Sequence, residues 1–229
     1  MLHLYSWPTP NGHKLHIMLA ELEVSYQLHP INIMKGEQLT PEYLKINPNN
    51  KIPALIDEDG PERKTITIFE SGAILFYLAE KYQRFFGNNS HERYQIMQWL
   101  MFQMSGLGPM LGQAHHFRVY APQAVSYGIE RYTKEAKRLY NVLDKRLQQQ
   151  PFLAGAYSIA DIAAFPWIRL WPKQGVQIGD FPHVQRWLTQ IEQRPAVKKA
   201  LDVISEYANQ MPKPAAWVLD YFSTLGKLS

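Results

Sequence analysis

The sequence predicts an α/β domain followed by an all-helical domain, and two observations support this fold class. Up to Tyr82, short apolar runs typical of strands alternate with segments whose apolar residues recur at helical spacing, which is the pattern of an α/β unit. After a polar segment around Gly87, only helical spacing recurs. The expected boundaries are an α/β domain at 1–82, a helical domain at 91–205 and a C-terminal extension at 206–229.

The first domain is expected to contain a strand, a helix, a strand, a short helix, two strands and a helix, in that order. Apolar residues at positions 15, 18, 19 and 22 have the spacing of the first helix. Thr40 before Pro41 is typical of an N-cap, so the short helix is expected to begin there. Ser71 can cap the last helix. The four strands are expected at 2–5, 26–30, 52–56 and 65–69.

The second domain has its clearest helix where an apolar stripe runs from Ile129 to Leu147. Ser158 and Asp161 have the spacing of a capping box, with Asp in place of the usual Glu, so a further helix is expected to begin there. The tail beyond Met211 is amphipathic and aromatic. Two interpretations of this tail remain open: it docks on the body of the protein or on a partner.

The composition excludes several kinds of chemistry. The chain has no cysteine, so it cannot form a disulfide, offer its own thiolate nucleophile or build a thiolate metal site. Hydrophobic residues make up 46% and charged residues 19%, which are ordinary globular values and argue against disorder. The net charge of +4 is too small to imply nucleic acid as a partner, although it favours small anionic ligands.

No membrane or metal function is expected. The N-terminus lacks a basic segment followed by an apolar one, so no signal peptide is apparent and the cytoplasm is the expected compartment. Residues 94–117 contain no Asp, Glu, Lys or Arg, but their glutamines, histidines and the break at 106–109 favour a buried, kinked helix over a membrane span. His115 and His116 would point about 100° apart on a helix, without a carboxylate at a helpful spacing, which argues against a metal site.

Three motifs resemble the soluble glutathione transferases: Asn-Lys-Ile-Pro-Ala-Leu at 50–55, Phe-Glu-Ser-Gly-Ala-Ile at 69–74 and Ser-Ile-Ala-Asp at 158–161. Within that superfamily, residues 8–14 and 106–113 are similar to the nu class, which comprises bacterial glutathione-dependent disulfide reductases. The resemblance covers about residues 1–205. It implies a thioredoxin-like βαβ-α-ββα first domain, a helical bundle after it, a homodimer, and reduced or oxidised glutathione as co-substrate.

The resemblance implies a glutathione site in the first domain. Ile52 would hydrogen-bond the ligand through its backbone, and Pro53 would follow a cis peptide bond. Glu70 and Ser71 would bind the γ-glutamyl end, which carries an ammonium and a carboxylate on one carbon. This fits the residues, because Glu70 can meet an ammonium and the free N–H groups of a helix N-terminus attract anions. A plain N-cap is the alternative, and both interpretations can hold at once.

Three further residues are candidates for glutathione binding by the same resemblance. Lys51 and Gln38 would take the glycyl carboxylate, although a lysine is more often a solvated surface charge. Arg131, from the long helix of the second domain, would reach the bound glutathiones. Arg131, Lys134 and Arg138 also form a basic helix face, and solvation is an equal alternative for Arg131 and the favoured one for the other two.

Thr9 and Asn11 are the candidate catalytic residues. Relatives activate the glutathione thiol with Tyr, Ser or Cys near the first helix, and Asn11 stands roughly where some of them keep cysteine. A hydroxyl and an amide donate hydrogen bonds but are not useful bases, so they would stabilise a thiolate rather than create it. The alternative is that they merely shape a turn. Tyr5 and Ser6 are rival activators, and a Tyr5 within the strand is expected to point into the core.

The sequence therefore predicts an enzyme, a glutathione-dependent disulfide-bond oxidoreductase that reduces small-molecule disulfides through two bound glutathione thiols. Two alternatives remain open. One is a transferase that conjugates glutathione to electrophiles with the same thiolate. The other is a non-enzymatic module that uses the transferase-like fold for interaction. Pro53, Ser158 and Asp161 are expected to have structural roles.

Overall fold

The computed structural model of the chain describes residues 1–203 and 207. Its contacts divide the chain into two compact units. The first unit contains Met1–Phe86 together with the described residues from Gln193 onwards, and the second unit is Gly87–Glu192. Apart from Tyr207, the expected C-terminal extension lies outside the described residues.

The first unit is built on a sheet whose strand order is β2-β1-β3-β4. Strand β1 runs parallel to β2 and antiparallel to β3, and β3 is antiparallel to β4. Alternate residues of β1 are buried, which leaves the sheet with one apolar face. The strands are β1 (Leu2–Ser6), β2 (Gln27–Pro30), β3 (Ala54–Asp57) and β4 (Ile66–Phe69).

Three helices of the first unit follow these strands in the predicted order: α1 (Pro10–Leu22), α2 (Pro41–Leu44) and α3 (Ser71–Tyr82). Helix α1 joins the parallel strands β1 and β2, and it packs against α3. The Thr40 hydroxyl accepts a hydrogen bond from the Tyr43 amide at 3.3 Å, which confirms the predicted cap of α2. The core of the unit contains fully buried residues of β1, α1 and α3: Leu4, Leu15, Leu19, Ile74 and Leu78.

The second unit is built from helices, so the predicted fold class is confirmed. Helix α6 buries the predicted apolar stripe from Ala136 to Leu147, while Ile129 stays half-buried. The segment between α4 and α5 is π-helical over Gln103–Leu107, and a second π-helical segment lies at His116–Tyr120. None of the described helices is both long and apolar enough to cross a membrane. The helices are α4 (Ser90–Phe102), α5 (Gly108–His115), α6 (Ser126–Gln149), α7 (Ile159–Ile168) and α8 (Pro182–Glu192).

The predicted capping box begins α7. The Ser158 hydroxyl accepts from the Ala160 amide at 3.3 Å, and an Asp161 carboxylate oxygen accepts from the Ser158 amide at 3.0 Å. Asp161 is fully buried and also accepts from the Leu153 amide at 3.0 Å and from the Trp187 indole at 2.9 Å. Burial raises the pKa of this carboxyl to about 6, while its hydrogen bonds act in the opposite direction. The motif therefore also ties α7 to α8, which carries Trp187.

The last described helix, α9 (Pro195–Val203), belongs to the first unit and packs on α1. Just before it, the Arg194 guanidinium makes two hydrogen bonds to the Glu21 carboxylate, at 2.6 and 2.8 Å. The expected boundary of the helical domain at 205 stays a prediction. The contacts, however, group the described residues from Gln193 onwards with the N-terminal α/β unit.

Candidate active site

The register of the sheet brings three predicted site segments to one edge. Tyr5 of β1 is the partner of Ala54, and Ala54 is the partner of Phe69 in β4. At this edge, Thr9 follows the end of β1 and Glu70 follows the end of β4. Ile52 lies just before the start of β3. The segments that carry Thr9, Ile52 and Glu70 therefore meet at one end of the sheet, although they are far apart in sequence.

Thr9 is the N-cap of α1. Its hydroxyl oxygen accepts a hydrogen bond from the Gly12 amide at 3.2 Å, so the hydroxyl hydrogen remains available to donate. Asn11 lies half-buried in the first turn of the same helix. The helix dipole adds partial positive charge at this end. The first turn of α1 therefore offers a hydroxyl, an amide and a favourable field to an anionic sulfur.

Helix α1 begins in close contact with the end of β1. A Cβ on Gly12 would lie 2.6 Å from the Ser6 hydroxyl oxygen and still closer to the Trp7 carbonyl oxygen, so only glycine fits there. Ser6 itself is buried, and its hydroxyl lies 3.2 Å from Nε2 of His16. Its hydroxyl is thus placed inside the unit, between the strand and α1.

Tyr5 lies on the other face of β1 from the buried leucines. Its ring stacks on His29 with 4.5 Å between ring centroids, and the edge of Tyr43 approaches it at 6.3 Å. The side chain is half-buried, so the expectation that it points into the core is not met. The alternation of the strand explains this, because Leu4 already occupies the core face.

Glu70 and Ser71 form the start of α3, but Ser71 is its first residue and not its cap, so the sequence prediction was wrong by one position. Glu70 occupies the cap position with a φ of 70°, a conformation that non-glycine residues rarely adopt, and its side chain makes no capping hydrogen bond. Its carboxylate is exposed beside the N–H groups of the first turn. One helix start thus presents a carboxylate and N–H donors side by side.

Lys14 is a site residue that the sequence reasoning missed. Its side chain is 1% exposed, and its Nζ donates to the Ser71 hydroxyl at 3.1 Å, which joins α1 to the start of α3. Burial lowers the pKa of this amine to about 7, against the opposing field of Glu70. The available signal was its position: Lys14 precedes Met18 by four residues and Leu22 by eight, which places it on the apolar face of α1.

The loop before β3 presents backbone groups. The Lys51 carbonyl accepts from the Tyr43 hydroxyl at 2.8 Å and from the Asn47 amide at 2.6 Å, while its side chain is exposed. The peptide bond between Ile52 and Pro53 is cis, as the resemblance implied. Within residues 1–203 and 207, neither the N–H nor the C=O of Ile52 takes part in a hydrogen bond. These groups are available to an extended ligand.

Gln38 lies in the short 3₁₀ turn Glu37–Leu39 and is 2% exposed. Its amide oxygen is buried and has no hydrogen-bond partner among the described residues. A buried polar atom without a partner is costly and calls for an explanation. The missing partner must be a donor such as a ligand N–H, because an amide oxygen only accepts, so this oxygen does not bear on the predicted contact with a carboxylate.

Arg131 lies in the second unit, on α6, and lines a groove of about 560 Å³ together with Met110 and Tyr127. Lys134 pairs with Glu130, and Arg138 makes a two-bond ion pair with Glu135. The part of the chain that the structure describes gives Arg131 no ion pair. Lys134 and Arg138 are thus engaged on the helix surface, and Arg131 differs from them. No cluster of three or more potential metal ligands occurs among the described residues.

Comparisons with known proteins agree with this architecture. Models of the glutathione S-transferase N-terminal and C-terminal domains match residues 1–80 and 113–195. Disulfide-bond oxidoreductase YfcG of Escherichia coli K12 is 50% identical over 205 residues, covering 88% of this chain and 94% of that protein.

Two solved structures are also similar to this chain. A glutathione transferase of Pseudomonas putida, with one glutathione disulfide bound per subunit, has a TM-score of 0.85 and 44% identity, covering 88% of this chain and 91% of that one. A glutathione transferase of Burkholderia graminis, with two glutathione molecules bound per subunit, has a TM-score of 0.85 and 45% identity, covering 89% and 88%. The chain therefore belongs to the glutathione S-transferase family.

Proposed function

We propose that this protein is a glutathione-dependent disulfide-bond oxidoreductase that reduces small-molecule disulfides with two glutathione thiols. The observation that carries this proposal is the absence of cysteine from a chain that is 50% identical to a disulfide-bond oxidoreductase. With no sulfur nucleophile of its own, the protein needs ligands to supply both thiols. The similar structures with two glutathione molecules, or one glutathione disulfide, per subunit support this arrangement.

The proposed catalytic residues are Thr9 and Asn11, which stabilise the thiolate of the first glutathione. A free thiol has a pKa of about 8.5, and each unit by which that pKa is lowered requires about 1.4 kcal/mol. A helix N-terminus supplies about 0.3–1 kcal/mol, and up to ~2 kcal/mol where it is partly buried. One or two charge-assisted hydrogen bonds from the hydroxyl and the amide supply the rest. Together these contributions suffice for a substantial thiolate fraction at neutral pH.

The remaining site residues bind the ligand in this proposal. Glu70 takes the γ-glutamyl ammonium and Ser71 the neighbouring carboxylate, while the backbone of Ile52 holds the central peptide. Lys51 and Gln38 take the glycyl carboxylate. The exposed Glu70 carboxylate supports its role, and the backbone of Ile52, which makes no hydrogen bond within residues 1–203 and 207, supports the contact with the central peptide.

The remaining predicted residues have supporting roles in the proposed function. Arg131 contributes positive charge to the bound glutathiones in the proposed function. Pro53 shapes the loop that presents Ile52, and Ser158 with Asp161 starts α7. The support for the Arg131 assignment is that it lines a groove without an ion pair among the described residues.

The reaction consists of two exchanges. The thiolate of the first glutathione attacks one sulfur of the substrate disulfide, forming a mixed disulfide and releasing one substrate thiolate, which takes up a proton. The thiolate of the second glutathione attacks the glutathione sulfur of the mixed disulfide, which gives oxidised glutathione and the second substrate thiol. Two electrons pass from the two glutathiones to the substrate, and no group of the protein changes its oxidation state.

Substitution Asn11→Ala tests the assignment. It removes a donor to the thiolate, so we expect the rate of hydroxyethyl disulfide reduction to fall at least ~10-fold, with a higher apparent thiol pKa in the pH–rate profile. Asn88→Ala, at an exposed position of the second unit, is the matched control and should retain the rate. An unchanged rate in Asn11→Ala would remove Asn11 from the mechanism.

The same enzyme preparation should be assayed with chlorodinitrobenzene, because a transferase would use the same thiolate on an electrophile. Disulfide reduction is expected to be the faster reaction at equal glutathione concentration. A faster conjugation would identify the protein as a transferase of electrophiles instead.

The proposal includes a cytoplasmic homodimer that has no nucleic-acid or membrane partner. Its support is the resemblance to a dimeric family and to glutathione-using enzymes, which need the reduced glutathione of that compartment. Sedimentation velocity measures the assembly, and a single species at the 26.6 kDa mass of one chain would contradict the dimer. Cell fractionation measures the compartment, and recovery outside the cytoplasmic fraction would contradict it.

A further inference from the structure

Trp7 lies between the end of β1 and the start of α1, in the turn that leads to the proposed sulfur site. Its side chain is 2% exposed and is one of the largest buried side chains among the described residues. Its carbonyl oxygen accepts a hydrogen bond from the Thr9 amide at 2.7 Å. The same oxygen lies so close to α1 that a Cβ on Gly12 would approach it to 2.2 Å. The position of Trp7 therefore constrains the turn that presents Thr9.

The indole ring of Trp7 is held in place by packing. Its Nε1 is buried and has no hydrogen-bond partner within residues 1–203 and 207. A buried donor without an acceptor is unfavourable, and contact with water relieves that cost. The ring is therefore expected to turn towards solvent if the packing around it opens.

Tyr207 provides part of this packing. Its ring centroid lies 5.6 Å from that of Trp7, with 48° between the two ring planes. Aromatic pairs at this separation attract each other beyond the effect of the area they bury. Tyr207 is itself only half-buried, so it lies between Trp7 and solvent. Loss of the Tyr207 ring would consequently open a route to water for the indole.

The contact between Tyr207 and Trp7 lies within the first unit, where the preceding helix α9 is firmly placed. Helix α9 packs on α1, and its residues Val197 and Ala200 are buried. Just before α9, the Arg194 guanidinium donates two hydrogen bonds to the Glu21 carboxylate of α1. These contacts fasten the last described part of the chain to the helix whose first turn carries the proposed sulfur site.

We propose that Tyr207 is a positioning residue of the sulfur site, which keeps Trp7 in place and thereby fixes the turn that carries Thr9. The inference rests on the proposed role of Thr9 as a donor to the glutathione thiolate. A hydrogen bond weakens steeply when its donor and acceptor are misaligned, so a small shift of this turn reduces the stabilisation of the thiolate. Glu70 belongs to another segment, so its contact with the ligand is expected to remain.

Substitution Tyr207→Ala tests the proposal through the pKa of the bound glutathione thiol, which the ultraviolet absorbance of the thiolate reports across pH. We expect this pKa to rise by roughly one unit, so that the rate of hydroxyethyl disulfide reduction at pH 7 falls about fivefold. The KM for glutathione should change by less than about twofold, because the contacts that bind the ligand are kept. An unchanged thiol pKa in Tyr207→Ala would overturn the proposal.

Two control variants separate the ring contact from a general effect of losing a tyrosine. Tyr207→Phe keeps the ring that contacts Trp7 and should retain the wild-type thiol pKa. Tyr94→Ala removes a tyrosine of the second unit that is 76% exposed, and it should also retain that pKa. Equal shifts in Tyr94→Ala and Tyr207→Ala would overturn the specific role of Tyr207.

Trp7→Leu measures whether Tyr207 acts through Trp7, and it answers the same question if Tyr207→Ala does not fold. It removes the ring that Tyr207 contacts but keeps an apolar side chain at the position. The thiol pKa should again rise by roughly one unit, and adding Tyr207→Ala to this variant should raise it no further. An unchanged pKa in Trp7→Leu, or a further rise in the double variant, would overturn action through Trp7.

The wild type distinguishes a failure of this inference from a failure of the proposed function. Normal disulfide reduction by the wild type, with an unchanged thiol pKa in Tyr207→Ala, would overturn the role of Tyr207 and leave the proposed function intact. A wild type that neither lowers the pKa of the bound thiol nor reduces the disulfide would overturn both.

Discussion

His16 joins the end of β1 to the loop after α1. Its Nε2 lies 3.2 Å from the Ser6 hydroxyl, and its Nδ1 lies 3.0 Å from the Tyr26 hydroxyl. Burial lowers the pKa of the imidazole to about 3, with a further contribution from the charge of His13. The ring is therefore neutral in the folded protein at every pH near neutrality, and its two contacts fasten α1 to the end of β1 and to the loop before β2.

The neutral His16 predicts an acid sensitivity of stability. Below pH 6.5 the unfolded chain binds a proton at this position and the folded protein does not, so the free energy of unfolding falls as the pH falls towards 3. Between pH 7.5 and 4.5 the wild type should lose about 2–3 kcal/mol more than His16→Gln, measured by urea unfolding. His91→Gln, at an exposed position, should behave like the wild type. Equal losses in the wild type and in His16→Gln would contradict a neutral buried ring.

Individual residues were predictable from the sequence where a local motif carried them. Thr40 caps α2, as its place before Pro41 predicted, but the contact between Lys14 and Ser71 spans 57 positions and has no local signature. The cap of α3 was misassigned because Glu70 adopts a positive φ that its residue type rarely takes.

The capping motif of helix α7 also binds residues that are distant from it in sequence. The Ser158 and Asp161 spacing predicted where the helix begins, because both bonds of a capping box lie within one turn. The same carboxylate holds the Leu153 amide and the Trp187 indole, which no sequence spacing indicates. Asp161 consequently organises three segments of the second unit.

Substitutions in this motif should differ in cost. Ser158→Ala removes one cap acceptor and should lower the free energy of unfolding by about 1 kcal/mol. Asp161→Ala leaves the Leu153, Ser158 and Trp187 donors buried without an acceptor and should cost about 3 kcal/mol or more. Urea unfolding at pH 7.5 measures both. Equal losses in the two variants would contradict the central role of Asp161.

The order of the helices and strands was predictable from the sequence, but the residues at which the strands begin and end were not. The third strand begins at Ala54 and not at Ile52, since Pro53 has no N–H for a ladder hydrogen bond. The alternation of apolar residues indicates which residues of a strand share a face. It does not reveal the register between strands, which brings the segments of Ile52 and Glu70 to the same end of the sheet. The segments of the candidate site could therefore be named from the sequence, but the way the sheet brings them together could not.

The first unit is formed by two stretches of chain that are separated in sequence by the second unit. The chain forms most of the first unit, then the second unit, and then contributes α9 to the first. Glu21 is 7% exposed, and its two hydrogen bonds from Arg194 fix the point where the chain rejoins α1. The sequence suggested a helical domain up to 205, because helical spacing alone does not reveal the unit to which a helix packs.

Arg194→Ala should loosen the first unit selectively. It leaves the Glu21 carboxylate buried without its guanidinium, so we expect a loss of about 2 kcal/mol. Hydrogen exchange localises the effect: amides of α1 should exchange faster, while those of α6 keep wild-type rates. The control Arg63→Ala alters an exposed arginine of the same unit and should change neither helix. Unchanged exchange in α1 would show that the ion pair does not secure α9.

The late return of α9 also sets an order of events during synthesis. The ribosome completes Met1–Phe86, then makes all of Gly87–Glu192, and only afterwards releases the helix that covers α1. At about 5–20 residues per second, that interval lasts on the order of 5–20 s. Throughout it, the nascent first unit keeps part of its apolar surface open to water and to chaperones. The unit that is synthesised first is thus completed last.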